Sequence, residues 1–205
     1  KSMQIKETYG AADILLVRHV VEHAYDISEF VAAIRLLVKS DGYIIWELPD
    51  CKKALLNGDC TMVWEEHIHY FTEFTFKQFL ITEKFKIIDF SSIEYPLENC
   101  LVAITQKSGN KDDLIENNIK SISIEVERAK QYLELLHLRK KSVRRKLNAI
   151  SKKYGNLAFF GAGHFTCAFI SIMGIQDLVD YVVDDNLNKK DRKLPAGGIS
   201  IVGSD

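Results

Sequence analysis

The segment VWEEHIHYF, residues 63–71, places acidic, imidazole and aromatic side chains within nine residues. Imidazole has a pKa near working pH, so a histidine here can accept a proton, and a neighbouring carboxylate can orient it and stabilise its protonated form. In an extended chain, Glu65, His67 and His69 would face one way. They could then ligate a metal, although three unlike ligands on one short strand rarely close a tetrahedral site. The spacing leaves an acid–base centre, a metal site and a charged surface loop open.

A second group of candidate residues is RHVVEH, residues 18–23. It follows the apolar run at 14–17, which predicts a buried parallel strand ending near Arg18. Ligands of open α/β sheets lie beyond the carboxyl ends of the strands, so we expect Arg18 and His19 near a ligand. His19 and His23 are four residues apart and could share a helix face and a metal. The alternative for His23 is a packing histidine that hydrogen-bonds to the backbone.

A third candidate is the Gly161-Ala-Gly163 turn, which lies between a predicted strand and a predicted helix. Backbone N–H groups at such a helix start can hold a phosphate. The third glycine of the full fingerprint is missing, so a plain tight turn explains the pattern equally well. The basic run from Arg139 to Lys146 is a further candidate phosphate site, with a solvated helix face as the more ordinary interpretation.

Two regions of alternating strands and helices position these segments. In residues 1–108 the patterns predict strand, helix, strand, excursion, helix, strand and strand. The predicted landmarks are a helix from Ser28 to Asp41-Gly42, a strand at 43–50, a helix capped by Thr72, and antiparallel strands at 85–93 and 99–107. Residues 112–154 contain no glycine or proline and predict one long helix, or two that break near Ser121–Ser123. Residues 155–205 have the order of a small β-α-β unit.

Composition excludes several classes of function. The 27 basic residues nearly balance the 28 acidic ones, so no field of one sign indicates a nucleic-acid or membrane partner. The longest apolar runs are far too short to span a bilayer. The four cysteines form no CxxC pair, so we expect free thiols in a cytoplasmic protein and no structural zinc.

Several of these segments, taken in order, resemble a known family. The segment YGAADILLVRHVVEHAYDISEFVAAIRLLVKSDGYIIWELPD, followed by WEEHIHYFTEFTFKQFL, resembles the latter half of a class I S-adenosylmethionine (SAM)-dependent methyltransferase. More narrowly, it is similar to the sugar-nucleotide C-methyltransferases, which carry a Tyr-x-Glu-His-x-x-Tyr-Phe-Ser stretch. FFGAGHFTCAFISIMGI and VDYVVDDNLNKKDRKLPAGGISI resemble the second, Rossmann-like domain of that family.

The resemblance implies an α/β fold in which a partial class I methyltransferase sheet is joined by a long helix to a second small Rossmann-like unit. The C-terminal half of the methyltransferase core would occupy residues 1–108, a helical connector residues 109–154, and the small unit residues 155–205. No glycine-rich turn or acidic residue for SAM precedes Asp13, and the family's N-terminal zinc-binding segment is absent. We therefore expect the chain to be the C-terminal portion of a longer protein that alone binds SAM poorly and does not turn over.

The resemblance also implies a reaction, the methylation of carbon 3 of a 4-keto deoxysugar on a nucleoside diphosphate. His67 would be the general base, and Glu66 its partner or a sugar ligand. Arg18, His19 and His23 would lie at the SAM site, and no metal is expected. The implied substrate-binding residues are Trp64, His69, Tyr70, Gly161, Gly163, His164 and Asp185.

Departures from the family pattern keep other activities open. Trp64 replaces the motif's tyrosine, His19 stands where members often have asparagine, LENCL replaces a Gly-Gly-Ser segment, and His164 lies near the place of a common lysine. The alternatives are an O- or N-methyltransferase on this scaffold, a non-catalytic nucleotide-sugar binding module, and a scaffold protein that pairs through the long helix. The sugar and the oligomeric state are left open.

Overall fold

The protein is described by a computed structural model for residues 1–63, 66–96, 98–107 and 119–204. It divides into two compact units, the first formed by Lys1–Lys53 and Glu65–Glu127, the second by Ala54–Trp64 and Arg128–Asp205. The mixed α/β class that the sequence predicts is confirmed. The expected boundaries at 108 and 154 stay a prediction, and the start of the expected connector, 109–118, lies outside the described residues.

The first unit is built on a four-stranded sheet in the order β1-β2-β4-β3. Its strands are β1 (Ala12–Arg18), β2 (Val38–Asp50), β3 (Phe85–Ile93) and β4 (Asn99–Lys107). β1 and β2 are parallel, with Val17 opposite Trp46, whereas β4 runs antiparallel to both β2 and β3. The predicted succession of strands, including the closing antiparallel pair, is confirmed.

Two helices cover one face of this sheet. The described helices that precede β3 are α1 (Ser2–Tyr9), α2 (Ile27–Leu37), α3 (Lys52–Asn57) and α4 (Glu73–Thr82), and most of α3 belongs to the second unit. Val31 and Ile34 of α2, and Phe76 and Leu80 of α4, are buried against the strands. Thr72 caps α4 as predicted, in a reciprocal capping box with Thr75. On the uncovered face, the β1 side chains Ile14 and Leu16 remain 57% and 65% exposed.

Both predicted ends of α2 are wrong. The helix begins at Ile27, because the Asp26 side chain accepts the Glu29 N–H and so caps the helix two residues before Ser28. It ends at Leu37, and Asp41-Gly42 lies inside β2. A Cβ on Gly42 would stand 2.8 Å from the Asp13 carbonyl oxygen. The glycine therefore permits close approach to β1 and does not stop a helix.

Trp46 is the centre of the first core. Its side chain is 0% exposed and meets the rings of Phe76, Phe79 and Phe85 at centroid distances of 5.4 to 6.3 Å. The indole N–H donates to the Thr105 hydroxyl at 2.9 Å, and Thr105 is also 0% exposed. β2 and β4 are thus fixed to each other by a buried polar contact as well as by their backbone ladder.

The second unit is a small parallel sheet with two helices. Its strands β5 (Ala158–Phe160), β6 (Tyr181–Val183) and β7 (Ile201–Val202) lie in the order β5-β6-β7, and α6 spans His164–Met173. α5 (Ile119–Tyr154) is one continuous helix without a break at Ser121–Ser123. Leu136, Val143 and Leu147 of α5 pack on the core of this unit, whereas Leu133 is exposed. None of the described helices combines the length and the hydrophobicity needed to cross a bilayer.

Candidate functional site

The segment that follows β1 forms a tight turn that buries an acidic side chain. β1 ends at Arg18, and His19 takes a positive φ of 48° while its N–H donates to the Glu47 carbonyl. A 3-10 turn, Val21–His23, then places Val21 in the core and buries Glu22 beside it. His19 lies outside this turn, so the predicted helix face shared by His19 and His23 does not form.

The loop that carries His67, residues 66–70, is held against this turn and Ala24 by hydrogen bonds. The Ile68 and His69 N–H groups donate to the Glu22 carbonyl at 2.8 and 3.1 Å. The His23 Nδ1 lies 2.9 Å from the Glu66 carbonyl oxygen, and the His69 Nε2 lies 2.8 Å from the Ala24 carbonyl oxygen. Because a carbonyl only accepts, His23 carries its proton on Nδ1 and His69 carries one on Nε2. The contacts bring His67 against His23.

Glu22, His23 and His67, the imidazole–carboxylate cluster, are the centre of the candidate site. One donor atom from each residue lies within 4.8 Å of the other two. The rings of His23 and His67 are 4.7 Å apart at 69° to each other, and the Tyr70 ring lies 6.3 Å from His67. The structure therefore brings together three of the residues that the sequence predicts, His23, His67 and Tyr70.

His67 is half-buried, and its surroundings favour the neutral ring. Burial lowers the pKa of His67 below its ordinary value, and the neighbouring His23 lowers it further. Glu22 opposes both effects, His19 again lowers the pKa, and Glu66 raises it. An imidazole held neutral near physiological pH has a lone pair with which it can accept a proton.

Glu22 is the residue that sequence reasoning missed. Its side chain is only 2% exposed, and among the described residues neither carboxylate oxygen has a hydrogen-bond partner. The His19 Nδ1 lies 3.4 Å from Oε1, an ion-pair distance without hydrogen-bond geometry. Removing an isolated carboxylate from water costs several kcal/mol of desolvation free energy as an order of magnitude. A nearby positive charge would compensate this cost for Glu22. The only indication in the sequence was a glutamate between the histidines of RHVVEH.

Arg18 and His19 meet a second carboxylate at the end of β1. Arg18 Nε and Nη2 donate to Glu47 at 2.6 and 2.9 Å, and His19 Nε2 lies 3.5 Å from the same carboxylate. The hydrogen bond to Glu47 raises the pKa of Arg18, and the same bond lowers the pKa of the Glu47 carboxyl group. Two of the three predicted cofactor residues, Arg18 and His19, thus stand in an exposed, charged cluster beside β2, whereas His23 belongs to the imidazole–carboxylate cluster.

Two groups within the described ranges could hold a metal ion, His19 with Glu47 and Cys100, and the imidazole–carboxylate cluster. His19 and His23, which the sequence paired as metal ligands, belong to different groups. Each group offers three protein ligands, one fewer than a structural zinc site uses.

The other residues predicted for this loop have varied surroundings. The Glu66 side chain is exposed, while its backbone carbonyl serves His23. The His69 ring is half-buried and holds the loop through Ala24. Trp64 and Glu65 lie outside the described residues.

In the second unit the Gly161-Ala-Gly163 turn forms between β5 and α6, as predicted. Gly161 has a φ of 95°, and Gly163 precedes α6 without a side-chain cap. Asp184, at the end of β6, accepts the Ala162 N–H at 2.8 Å and the Lys189 ammonium at 2.9 Å. The hydrogen bond from Lys189, followed by those from the Asn186 and Ala162 N–H groups, lowers the pKa of Asp184 to about 2. A carboxylate thus already occupies one N–H of the turn.

The remaining candidates in the second unit take part in contacts within it. His164 is the first residue of α6, and the Asp185 carboxylate accepts the Ser204 N–H at 2.9 Å. In the basic run, Arg139 donates to the Asn57 carbonyl and Arg144 pairs with Asp177 at 2.7 Å. These two arginines therefore make contacts within the unit, a role that neither the phosphate site nor the solvated helix face considered from the sequence describes.

Comparisons with known proteins add a family assignment to this geometry. Residues 103–205, half of the chain, match a family model described as a C-methyltransferase C-terminal domain. The matched region covers most of β4, α5 and all the strands of the second sheet. A search of curated proteins finds no match. The imidazole–carboxylate cluster precedes the matched region.

Proposed function

The chain belongs to the C-methyltransferase family whose C-terminal domain it matches, and from this premise we propose that it is a SAM-dependent enzyme that methylates carbon 3 of a nucleotide-linked 4-keto deoxysugar. The resemblance of the WEEHIHYF segment to the sugar-nucleotide enzymes supports this substrate class. The observation that carries the proposal is His67, a half-buried imidazole with a lowered pKa beside Glu22 and His23.

The reaction requires a base because a carbon next to a ketone is only weakly acidic. In the proposed reaction, neutral His67 takes the proton from carbon 3, and the electron pair of that C–H bond moves into the enolate. The carbanion would form the new carbon–carbon bond with the methyl group while the sulfur–methyl bond of the sulfonium breaks, and the electron pair of that bond would leave with sulfur as S-adenosylhomocysteine. Protonated His67 later returns its proton to solvent. A positioned base contributes roughly 10²–10⁴-fold to such a step. Burial of His67 favours the form that can act.

The end of β1 fits the cofactor that this chemistry needs. When bound, SAM supplies the methyl group as a cationic sulfonium. Arg18 and His19 are exposed there and would hold it together with His23, as the resemblance implies. The carboxylates of Glu22 and Glu47 lie in the same region, and the buried carboxylate of Glu22, which accepts no hydrogen bond from the described residues, suits a cationic ligand.

Recognition of the sugar would use the loop around His67. Tyr70 is exposed beside His67 and offers a ring face to a sugar. His69 donates to Ala24, so we assign it to holding the loop as well as to lining the site. Gly161, Gly163, His164 and Asp185 remain proposed contacts to the nucleotide, with Ala162 N–H already bound to Asp184.

The proposal is tested by methyl transfer in the intact protein. We expect SAM labelled with ¹³C in its methyl group to give a carbon-bound methyl at position 3 of a 4-keto deoxysugar nucleotide, detected by NMR. A label on oxygen or nitrogen would contradict C-methylation. Sugar-nucleotide binding without any transfer would instead indicate a non-catalytic binding module.

The role of His67 is tested by substitution. His67→Gln removes the basic nitrogen and is expected to lower the transfer rate roughly 10²–10⁴-fold with sugar-nucleotide binding retained. The matched control is His137→Gln, since His137 is an exposed histidine on α5, and its rate should equal that of wild type. Unchanged transfer in His67→Gln would remove His67 from the reaction.

A further inference from the structure

The buried carboxylate that faces His67 has so far been given no part in the proton transfer itself. The resemblance pairs His67 with Glu66, its neighbour in sequence. In the structure, however, the Glu66 side chain is exposed and the Glu22 side chain is 2% exposed. Two glutamates thus compete for the role of partner to the proposed base.

We propose that Glu22, and not Glu66, is the positioning residue of the base, the carboxylate that orients His67 and stabilises its protonated form. The catalytic consequence of this pairing rests on the proposed function, whereas the pairing of Glu22 with His67 is a property of the protein without ligands. Glu22 does not touch the reacting carbon and does not take the proton. It acts through the imidazole by placing a fixed negative charge beside it.

Geometry is the first support for this assignment. Glu22 and His67 have donor atoms within 4.8 Å of each other in the imidazole–carboxylate cluster, which does not include Glu66. The backbone carbonyl of Glu22 also accepts the N–H groups of Ile68 and His69. The same residue therefore fixes the path of the loop that carries His67 and directs a carboxylate toward its ring.

Burial is the second support. The Coulomb energy of a charge pair is several times larger at the effective dielectric of a protein site than in bulk water. Glu66 reaches solvent, where water and salt screen its charge, whereas Glu22 is shielded. The Glu22 carboxylate, which accepts no hydrogen bond from the described residues, would gain a positively charged neighbour when a proton arrives on His67. The free-energy cost of burying the Glu22 carboxylate would then be offset most when His67 is protonated, after it has taken the proton.

The charges around His67 determine how its titration should respond. The described titratable groups around it are Glu22, His23, His19 and Glu66, whose charges shift its pKa, and Tyr70, whose ring lies 6.3 Å away. Both glutamates raise the pKa of His67, and both histidines lower it. Loss of the Glu22 charge should therefore lower the pKa of His67, and loss of the Glu66 charge should lower it less.

The test is an NMR titration of the chain with ¹⁵N-labelled histidine, with the His67 signal assigned by its loss in His67→Gln. We expect Glu22→Gln to lower the pKa of His67 clearly and Glu66→Gln, the matched control, to change it less. Glu22→Asp, which keeps the charge, should give an intermediate value. An equal or larger effect of Glu66→Gln, or no effect of Glu22→Gln, would overturn the proposal.

Two further readouts separate positioning from folding. Backbone amide spectra establish that each variant retains the fold, and Glu22→Asp replaces Glu22→Gln as the test if the amide variant does not fold. In the intact enzyme, Glu22→Gln should move the acidic limb of the pH–rate profile to lower pH, since that limb reports protonation of His67. A purely structural role would lower the rate at every pH without moving the limb, and that result would contradict the proposal.

The titration needs neither SAM nor a sugar nucleotide, so the two proposals can fail separately. Methyl transfer to oxygen would refute the proposed function and leave the Glu22–His67 pairing intact. If the enzyme makes the carbon–carbon bond but Glu22→Gln leaves the pKa of His67 unchanged, only the pairing is refuted.

Discussion

The hydrogen bond between Trp46 and Thr105 allows a quantitative test of the first core. Thr105→Val keeps the shape of the side chain and one methyl group but removes the hydroxyl that accepts the indole N–H at 2.9 Å. Both residues are 0% exposed, so water cannot replace the lost acceptor. The variant therefore leaves a buried donor without a partner.

The expected loss of stability follows from that unpaired donor. A buried polar group that loses its partner costs about 1–3 kcal/mol. Urea slopes of about 1–3 kcal/mol per molar convert this into a midpoint that falls by roughly 0.3–3 M. The indole itself stays packed against Phe76, Phe79 and Phe85, so no cavity contribution is added.

The assay is urea unfolding followed by tryptophan fluorescence. The chain has two tryptophans, so a Trp64→Phe background makes Trp46 the reporter of the first unit. Thr105→Ser is the matched control, because it keeps the hydroxyl and loses only a methyl group, worth about 0.8 kcal/mol. It should therefore be less destabilising than Thr105→Val.

A double-mutant cycle decides whether the hydrogen bond is the cause. In a Trp46→Phe background, followed by circular dichroism, no indole N–H is present, and Thr105→Val should cost much less than in the wild-type core. A midpoint unchanged by Thr105→Val, or an equal cost in both backgrounds, would refute the reasoning.

Three further predictions concern titratable groups. The pKa of His67 is lower in the folded than in the unfolded chain, so the unfolded chain binds more protons below about pH 6.5. The urea midpoint should therefore fall as the pH is lowered below about 6.5. In His67→Gln the midpoint should depend less steeply on pH. The pKa of Asp184 is lowered to about 2 in the folded protein. The ionised carboxylate therefore stabilises the fold at pH values above the ordinary pKa of a carboxyl group. Asp184→Asn should therefore lower the melting temperature at pH 7, and the difference should shrink as pH falls toward 2, whereas a constant difference would contradict this. Burial raises the pKa of Cys51 to about 12, so iodoacetamide at pH 8, followed by mass spectrometry, should label half-exposed Cys167 well before Cys51.

Elements with strong local patterns could be predicted from sequence. β1 follows from a short apolar run, and α4 follows from Thr72 and the spacing of its buried residues. The end of α2 could not be predicted, because Asp41-Gly42 has the local pattern of a helix stop. Pairing of Val38 with Ala12 draws those residues into β2 instead. Tertiary contacts outweighed the local preference there.

The candidate site was predictable in part. Residue types and the family resemblance singled out His67, and the end of β1 pointed to Arg18 and His19. The spacing of these residues could not predict that hydrogen bonds between residues 66–69 and residues 22–24 place His67 against His23. Burial of Glu22 could not be predicted either, since glutamate is almost always exposed unless it is paired.

Proton exchange at carbon 3 is the most direct test of His67 as the base. The intact protein is incubated with a 4-keto deoxysugar nucleotide in D₂O without SAM, so that proton abstraction is observed apart from methyl transfer. We expect the wild-type protein to incorporate deuterium at carbon 3, at a rate that falls as His67 becomes protonated at low pH, and His67→Gln to lose this exchange. Exchange that persists in His67→Gln, or that does not respond to pH, would contradict the assignment of His67 as the base.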